Sequence, residues 1–167
     1  MIEPVLLTMV GAAMIGAAAY DAATLTIPNW ISLVLIALFP LVALSADLSW
    51  SEIGVHVAVG FAALVIGIGL FAARMIGGGD AKLFAAIALY MGGGWIGVYV
   101  FTVALAGGAL AVVLLALRWI VSTGLAVRFA WLGHLAKAGA GIPYGIAIAA
   151  AGLLVFPATH LFALAAH

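Results

Sequence analysis

The sequence predicts an all-α polytopic membrane protein: a bundle of six transmembrane helices with its N-terminus outside. Three observations carry that expectation. The first is composition: of 167 residues, 69% are hydrophobic and 6% charged, whereas a soluble domain carries about a quarter charged residues to hydrate its surface. Lipid is therefore the solvent for most of the chain. The second is apolar run length, judged against the ~20 residues that cross a hydrocarbon core of roughly 30 Å. Stretches at about 4–21, 30–46, 54–73, 95–117 and 142–165 meet or approach that length, and a shorter one lies at about 81–92. The third is charge placement. Threading six spans from an outside N-terminus brings Arg74, Lys82, Arg118, Arg128 and Lys137 to one face and leaves Glu3, Asp47 and Glu52 on the other. Positive charge stays cytosolic, so the basic face is the cytosolic one.

Each element follows in order. The first stretch begins with Glu3 and has no Lys or Arg before Arg74; a secretory signal opens with positive charge, so this one reads as a retained span. Residues 26–29 read as a turn in which Thr26 caps a helix opening with Pro28. The second and third spans are separated by a short segment containing Asp47. The fourth, 81–92, lies between the glycine runs Gly77–Gly79 and Gly92–Gly94. Residues 118–141 are too polar to span and too apolar for a free loop, and read as a segment at the cytosolic interface. Trp30, Trp50, Trp95, Trp119 and Trp131 fall at span ends or in loops, where indole rings settle among headgroups. Many of the 21 glycines suit close helix packing in lipid. The whole of 1–167 reads as a single integral-membrane domain.

Several function classes are excluded. Net charge is zero and no basic block exists, so nothing would displace counterions from nucleic-acid phosphates. With no cysteine, neither disulfides nor thiolate metal sites arise. His56, His134, His160 and His167 lack metal-ligand spacing, and no serine sits with a histidine and an acid as a triad requires. No metal and no cofactor are expected.

Of the five acids, only Asp21 and Asp80 lie at the predicted cytosolic ends of spans. An ionised carboxylate at a membrane boundary is costly unless paired or hydrated. Two brought close share one proton, because like charges repel in low dielectric. The ionised member can then take a proton from water while the other donates to a carbonyl oxygen, which is the division of labour in peptide hydrolysis. Glycines at 77–79 give a backbone approach to Asp80 free of side chains. Competing readings stay open: Asp80 as a helix N-cap, and Asp21 as a solvated helix end.

Three blocks carry a resemblance: DAATLTIPN at 21–29, GGGDAKL at 77–83 and IPYGIAIA at 142–149. Together, in this order and spacing, the chain resembles the type IV prepilin peptidase family, in particular its short branch serving Flp-type, tight-adherence pili. The resemblance implies a membrane aspartic endopeptidase with Asp21 and Asp80 catalytic and Gly77 and Gly79 the glycines of a GxGD motif. Its partners would be pilin and pilin-like precursors, alongside membrane lipid. Cleavage would fall between a short leader and a hydrophobic helix, at the cytosolic face of the cytoplasmic membrane. Lys82, Pro143 and Tyr144 are candidate supporting or substrate-contacting residues, against plainer readings as a snorkelling lysine and a helix start. Longer family members resemble this chain plus a cysteine-bearing methyltransferase region, and no such region is expected here. Two rivals remain: a presenilin-like GxGD intramembrane protease, and a non-catalytic transporter or pilus-assembly subunit, since intramembrane acids also mark ion paths.

Overall fold

The computed structural model describes residues 2–122 and 141–166. It is all-α, in the order α1 (Glu3–Thr24), α2 (Asn29–Ser45), α3 (Trp50–Ala72), α4 (Gly78–Ser122), α5 (Tyr144–Val155), a 3-10 turn (Phe156–Ala158) and α6 (His160–Ala165). No strand occurs among the described residues.

The expected six spans are corrected. Among the described residues three helices are long and apolar enough to cross a membrane: Glu3–Thr24, Trp50–Ala72 and Gly78–Trp119. Asn29–Ser45 and Tyr144–Ala158 are apolar but shorter. The physical reasons are local. Helix α2 has 17 residues, about 26 Å at ~1.5 Å per residue. The predicted spans 81–92 and 95–117 belong to one helical element, turned at Gly92. The stretch 142–165 is interrupted at Phe156–Ala158, where Pro157 supplies no N–H to continue α5. The threading that put the N-terminus outside falls with the count. Most of the expected interface segment 118–141, with Arg128, Trp131, His134 and Lys137, lies outside the described residues.

Gly92 has φ 58° and ψ −170°, a left-handed backbone that glycine adopts without a Cβ penalty. It folds α4 back on itself. Phe84 before the turn stacks on Tyr99 after it, with ring centroids 5.2 Å apart. The reversal leaves the Leu89 carbonyl near the turn, and His56 Nδ1 of α3 meets it at 2.6 Å. A Cβ at Gly92 would stand 2.7 Å from the His56 ring, so glycine is required there twice over.

The packing is that of a protein solvated by lipid. On α3 only Gly60, Ala63 and Gly67 are buried, a narrow small-residue stripe lying against the first arm of α4 at Leu89 and Ala81. Phe61, Val65, Ile66, Ile68 and Phe71 face outward. Helix α5 is central and built from small residues: Gly145, Ala147, Ala149, Ala151 and Gly152 are all buried. It runs antiparallel to α1, with Gly152 against Met14 and Gly145 against Asp21. Tyr90 anchors the far half of the core. Its hydroxyl donates to the Leu35 carbonyl at 2.6 Å, and its ring meets Phe39 and Phe156 edge to face. Trp30, Trp50 and Trp119 are exposed near helix ends, where the sequence places them.

Charges sort to the two ends. At one end Glu52 accepts from the Ser49 amide at 2.8 Å, and Ser49 Oγ accepts from the Glu52 amide at 3.3 Å. This capping box opens α3. At the other end the C-termini of α1 and α3 meet the N-termini of α2, α4 and α5, and there Asp21 and Asp80 lie.

Candidate active site

Asp21 occupies the last turn of α1 and is 3% exposed. The helix ends three residues later, at Thr24, because Leu25 turns left-handed (φ 54°) while its N–H returns to the Asp21 carbonyl at 2.9 Å. Thr24 stabilises the same end, donating from Oγ1 to the Tyr20 carbonyl at 2.8 Å. Thr26 does not cap α2: the N-cap is Pro28, with no side-chain cap bond, because Thr26 Oγ1 pairs with Thr24 Oγ1 at 2.8 Å instead. The turn aims Ile27 inward, where it is buried.

Asp80 is the third residue of α4 rather than its N-cap. Its Oδ2 accepts from the Gly77 N–H at 3.2 Å, the half of a capping box in which the third helical residue reaches back to the cap. Asp80 is thus not the N-cap but a first-turn residue that caps back onto Gly77, and it is half-buried.

Three glycines set the geometry. A Cβ at Gly77 would stand 2.8 Å from Asp80 Oδ2, so glycine there lets the carboxylate fold back on its own backbone. A Cβ at Gly79 would stand 3.1 Å from Ile27 Cβ and 3.2 Å from the Ile27 carbonyl, so glycine lets the start of α4 abut the turn after Asp21. A Cβ at Gly145 would stand 2.6 Å from Ile27 Cδ1 and 2.7 Å from Asp21 Oδ2. Ile27 is thus gripped between α4 and α5, which fixes the two acidic elements against each other.

The two carboxylates lie within electrostatic reach of one another. The backbone amides of Gly145 and Ile146, in the first turn of α5, face Asp21, where a helix N-terminus favours negative charge. Asp21 Oδ2 is nevertheless buried, with no hydrogen-bond partner among the described residues. A buried, unsatisfied carboxylate oxygen is costly and marks a position where an incoming donor, a water or a substrate group, has something to bind.

The other sequence candidates gather at this end with differing roles. Pro143 is the N-cap of α5 and buried. Tyr144 opens α5, and a Cβ at Gly107 would stand 3.3 Å from its ring. Lys82 projects from another face of α4 than Asp80, and its amine donates to Asn29 Oδ1 at 2.9 Å. Ile27 and Gly145 are site-building residues to which the sequence alone assigns no role at the site, although both lie in the resembling blocks and Gly145 suits close helix packing. The signal for Gly145 was present: it directly follows Pro143 and Tyr144 at a helix start.

The pattern of this geometry in sequence is matched by a protein-family model, the type IV leader peptidase family, over residues 8–113. The chain belongs to the type IV leader peptidase family. The matched span contains both aspartates and the glycine run, and ends before the block at 142–149. No curated protein and no solved structure gives a significant match. The peptidase is a membrane aspartic endopeptidase of the GxGD class that acts on pilin-type precursors. The rivals of a transporter or assembly subunit are set aside by the same finding.

Proposed function

We propose that Asp21 and Asp80 are the catalytic pair of this peptidase, cutting precursors of Flp-type pilins at the cytosolic face of the cytoplasmic membrane. The observation that carries the reading is the convergence of two carboxylates from separate helices at one end of the bundle, with Asp21 Oδ2 buried and unpartnered among the described residues. With one proton shared between them, the ionised carboxylate takes a proton from water as the water oxygen bonds to the scissile carbonyl carbon. The protonated carboxyl gives its proton to the carbonyl oxygen. Collapse of the resulting tetrahedral diol breaks the C–N bond, and the leaving nitrogen departs with a proton returned by the dyad. No covalent enzyme intermediate forms.

Support for the cytosolic side comes from charge. Arg74 and Lys82 lie at the aspartate end, and Arg118 approaches the Gly141 carbonyl there at 3.5 Å. Glu3, Asp47 and Glu52 occupy the other end. Basic residues stay cytosolic in membrane proteins. Lys82 and Asn29 form a supporting pair beside the site, and Pro143 and Tyr144 hold the start of α5 against it.

The test is processing of a co-expressed Flp-type precursor by wild type, Asp21→Asn and Asp80→Asn, read as leader removal on a gel with membrane insertion confirmed. Both variants are expected to insert normally and cut nothing. Cleavage by either at the wild-type rate removes that residue from the dyad.

A further inference from the structure

Two apolar grooves flank the first arm of α4, and they differ in what lies at their ends. One, of about 850 Å³, runs between α2, α3 and α4 and carries Asn29, Ser32 and Lys82 as its polar lining. The other, of about 690 Å³, runs between α3 and the two arms of α4. Its lining is apolar apart from Asp80 and the Tyr144 hydroxyl. Both lie at the same end, since Tyr144 packs on Gly107, while Val59 and Ile96 line the opposite end.

We infer that this second groove seats an apolar, membrane-embedded α-helical segment of the substrate, adjoining the scissile bond. The inference rests on the catalytic reading above and extends it to how substrate is held. An endopeptidase must fix the chain on at least one side of the bond it cuts. Here the surface continuous with Asp80 is apolar along its length, so it fits apolar side chains. Backbone polar groups in lipid must be satisfied internally, so the segment lies there as a helix. From Ala111 to Ile96 the groove wall spans 15 helical steps, about 22 Å at ~1.5 Å each, enough for a partner helix of roughly four turns.

The wall is shaped for such a partner. Ala104, Gly107, Gly108 and Ala111 share one face of the second arm of α4 and line the groove, and small residues let helices approach closely in lipid. Gly107 is taken up by Tyr144, but a Cβ at Gly108 would meet nothing within 4 Å. Among the described residues, the space in front of Gly108 is therefore left open. The groove on the other side has no carboxylate among its described lining residues, so a helix seated there would not deliver its end to Asp80.

The chain contains no cysteine, so single cysteines report without a background. In the Asp21→Asn protein, Gly108→Cys and Ala104→Cys are paired with single cysteines scanned along the apolar segment of a co-expressed precursor, and oxidised in the membrane. Expected are cross-links at precursor positions spaced three to four residues apart, with Ala104→Cys reaching positions farther from the scissile bond than Gly108→Cys. Leu33→Cys and Phe61→Cys, in the other groove, should give none. In the active protein Gly108→Trp should lower kcat/KM for the precursor about tenfold or more, through a raised KM. Cross-links concentrated at Leu33 and Phe61, or none at any position while wild type cleaves, would overturn the proposal and leave the dyad standing. Failure of wild type to cleave would remove the dyad and the groove assignment together.

Discussion

Replacing Gly145 by alanine tests the proposed role of Asp21 through a single methyl group. The added Cβ would lie 2.7 Å from Asp21 Oδ2, 3.0 Å from Asp21 Cβ and 2.6 Å from Ile27 Cδ1. Ordinary contact begins near 3.4 Å, so the Asp21 carboxylate must retreat by about 0.7 Å or α5 must move off α1. Neither neighbour is the free end of a flexible chain: Asp21 is buried in the last turn of α1, and Ile27 is held against Gly79. Overpacking of this kind costs about 1–3 kcal/mol of stability. Its effect on rate is larger in proportion, since a misplacement of about 1 Å costs on the order of 100-fold. A displacement of about 0.7 Å then predicts a 10- to 100-fold slower cut with the protein still inserted. The assay is the time course of leader removal in membranes, with thermal stability followed in parallel. Gly16→Ala is the control, because a Cβ there meets nothing within 4 Å, and it should process at the wild-type rate. If Gly145→Ala cuts as fast as Gly16→Ala, the close fit of α5 on Asp21 has no part in catalysis and the site geometry is misread.

Two further outcomes follow from the same packing. Gly92→Ala meets both a left-handed backbone and the His56 ring at 2.7 Å; it should lower stability in detergent by about 1–3 kcal/mol, and a wild-type melting temperature would contradict the reversal of α4 at this residue. Tyr90→Phe removes the hydroxyl that donates to the Leu35 carbonyl at 2.6 Å while keeping the ring among Phe39 and Phe156. A loss of about 0.5–1.5 kcal/mol is expected, with precursor processing unchanged, because Tyr90 lies on the half of the core away from the aspartates.

Much of the site was legible in the sequence because it is local. GGGD places a carboxylate just after side-chain-free backbone, and its capping half-bond runs over three residues, Gly77 to Asp80. The turn after Asp21 was expected, but Thr26 was assigned a cap it does not make, since Thr24 offers its hydroxyl a nearer partner. The spans were less legible. Run length and the glycine run Gly92–Gly94 marked the boundary that the structure shows at Gly92, but hydropathy does not register that Pro157 interrupts the last apolar stretch or that α2 stays at 17 residues.

By itself the sequence determined the solvent, the helical class and the family, and it proposed the two acids, because composition, periodicity and short motifs are properties of neighbours along the chain. What tertiary structure alone decided is how Asp21 and Asp80, 59 positions apart by number, come to lie at the same end of the bundle on elements packed against Ile27. That depends on Ile27 fitting against Gly79 on one side and Gly145 on the other, and on α5 threading between α1 and α4. Such contacts are set by volumes that must close in three dimensions, and no single stretch of the chain contains them.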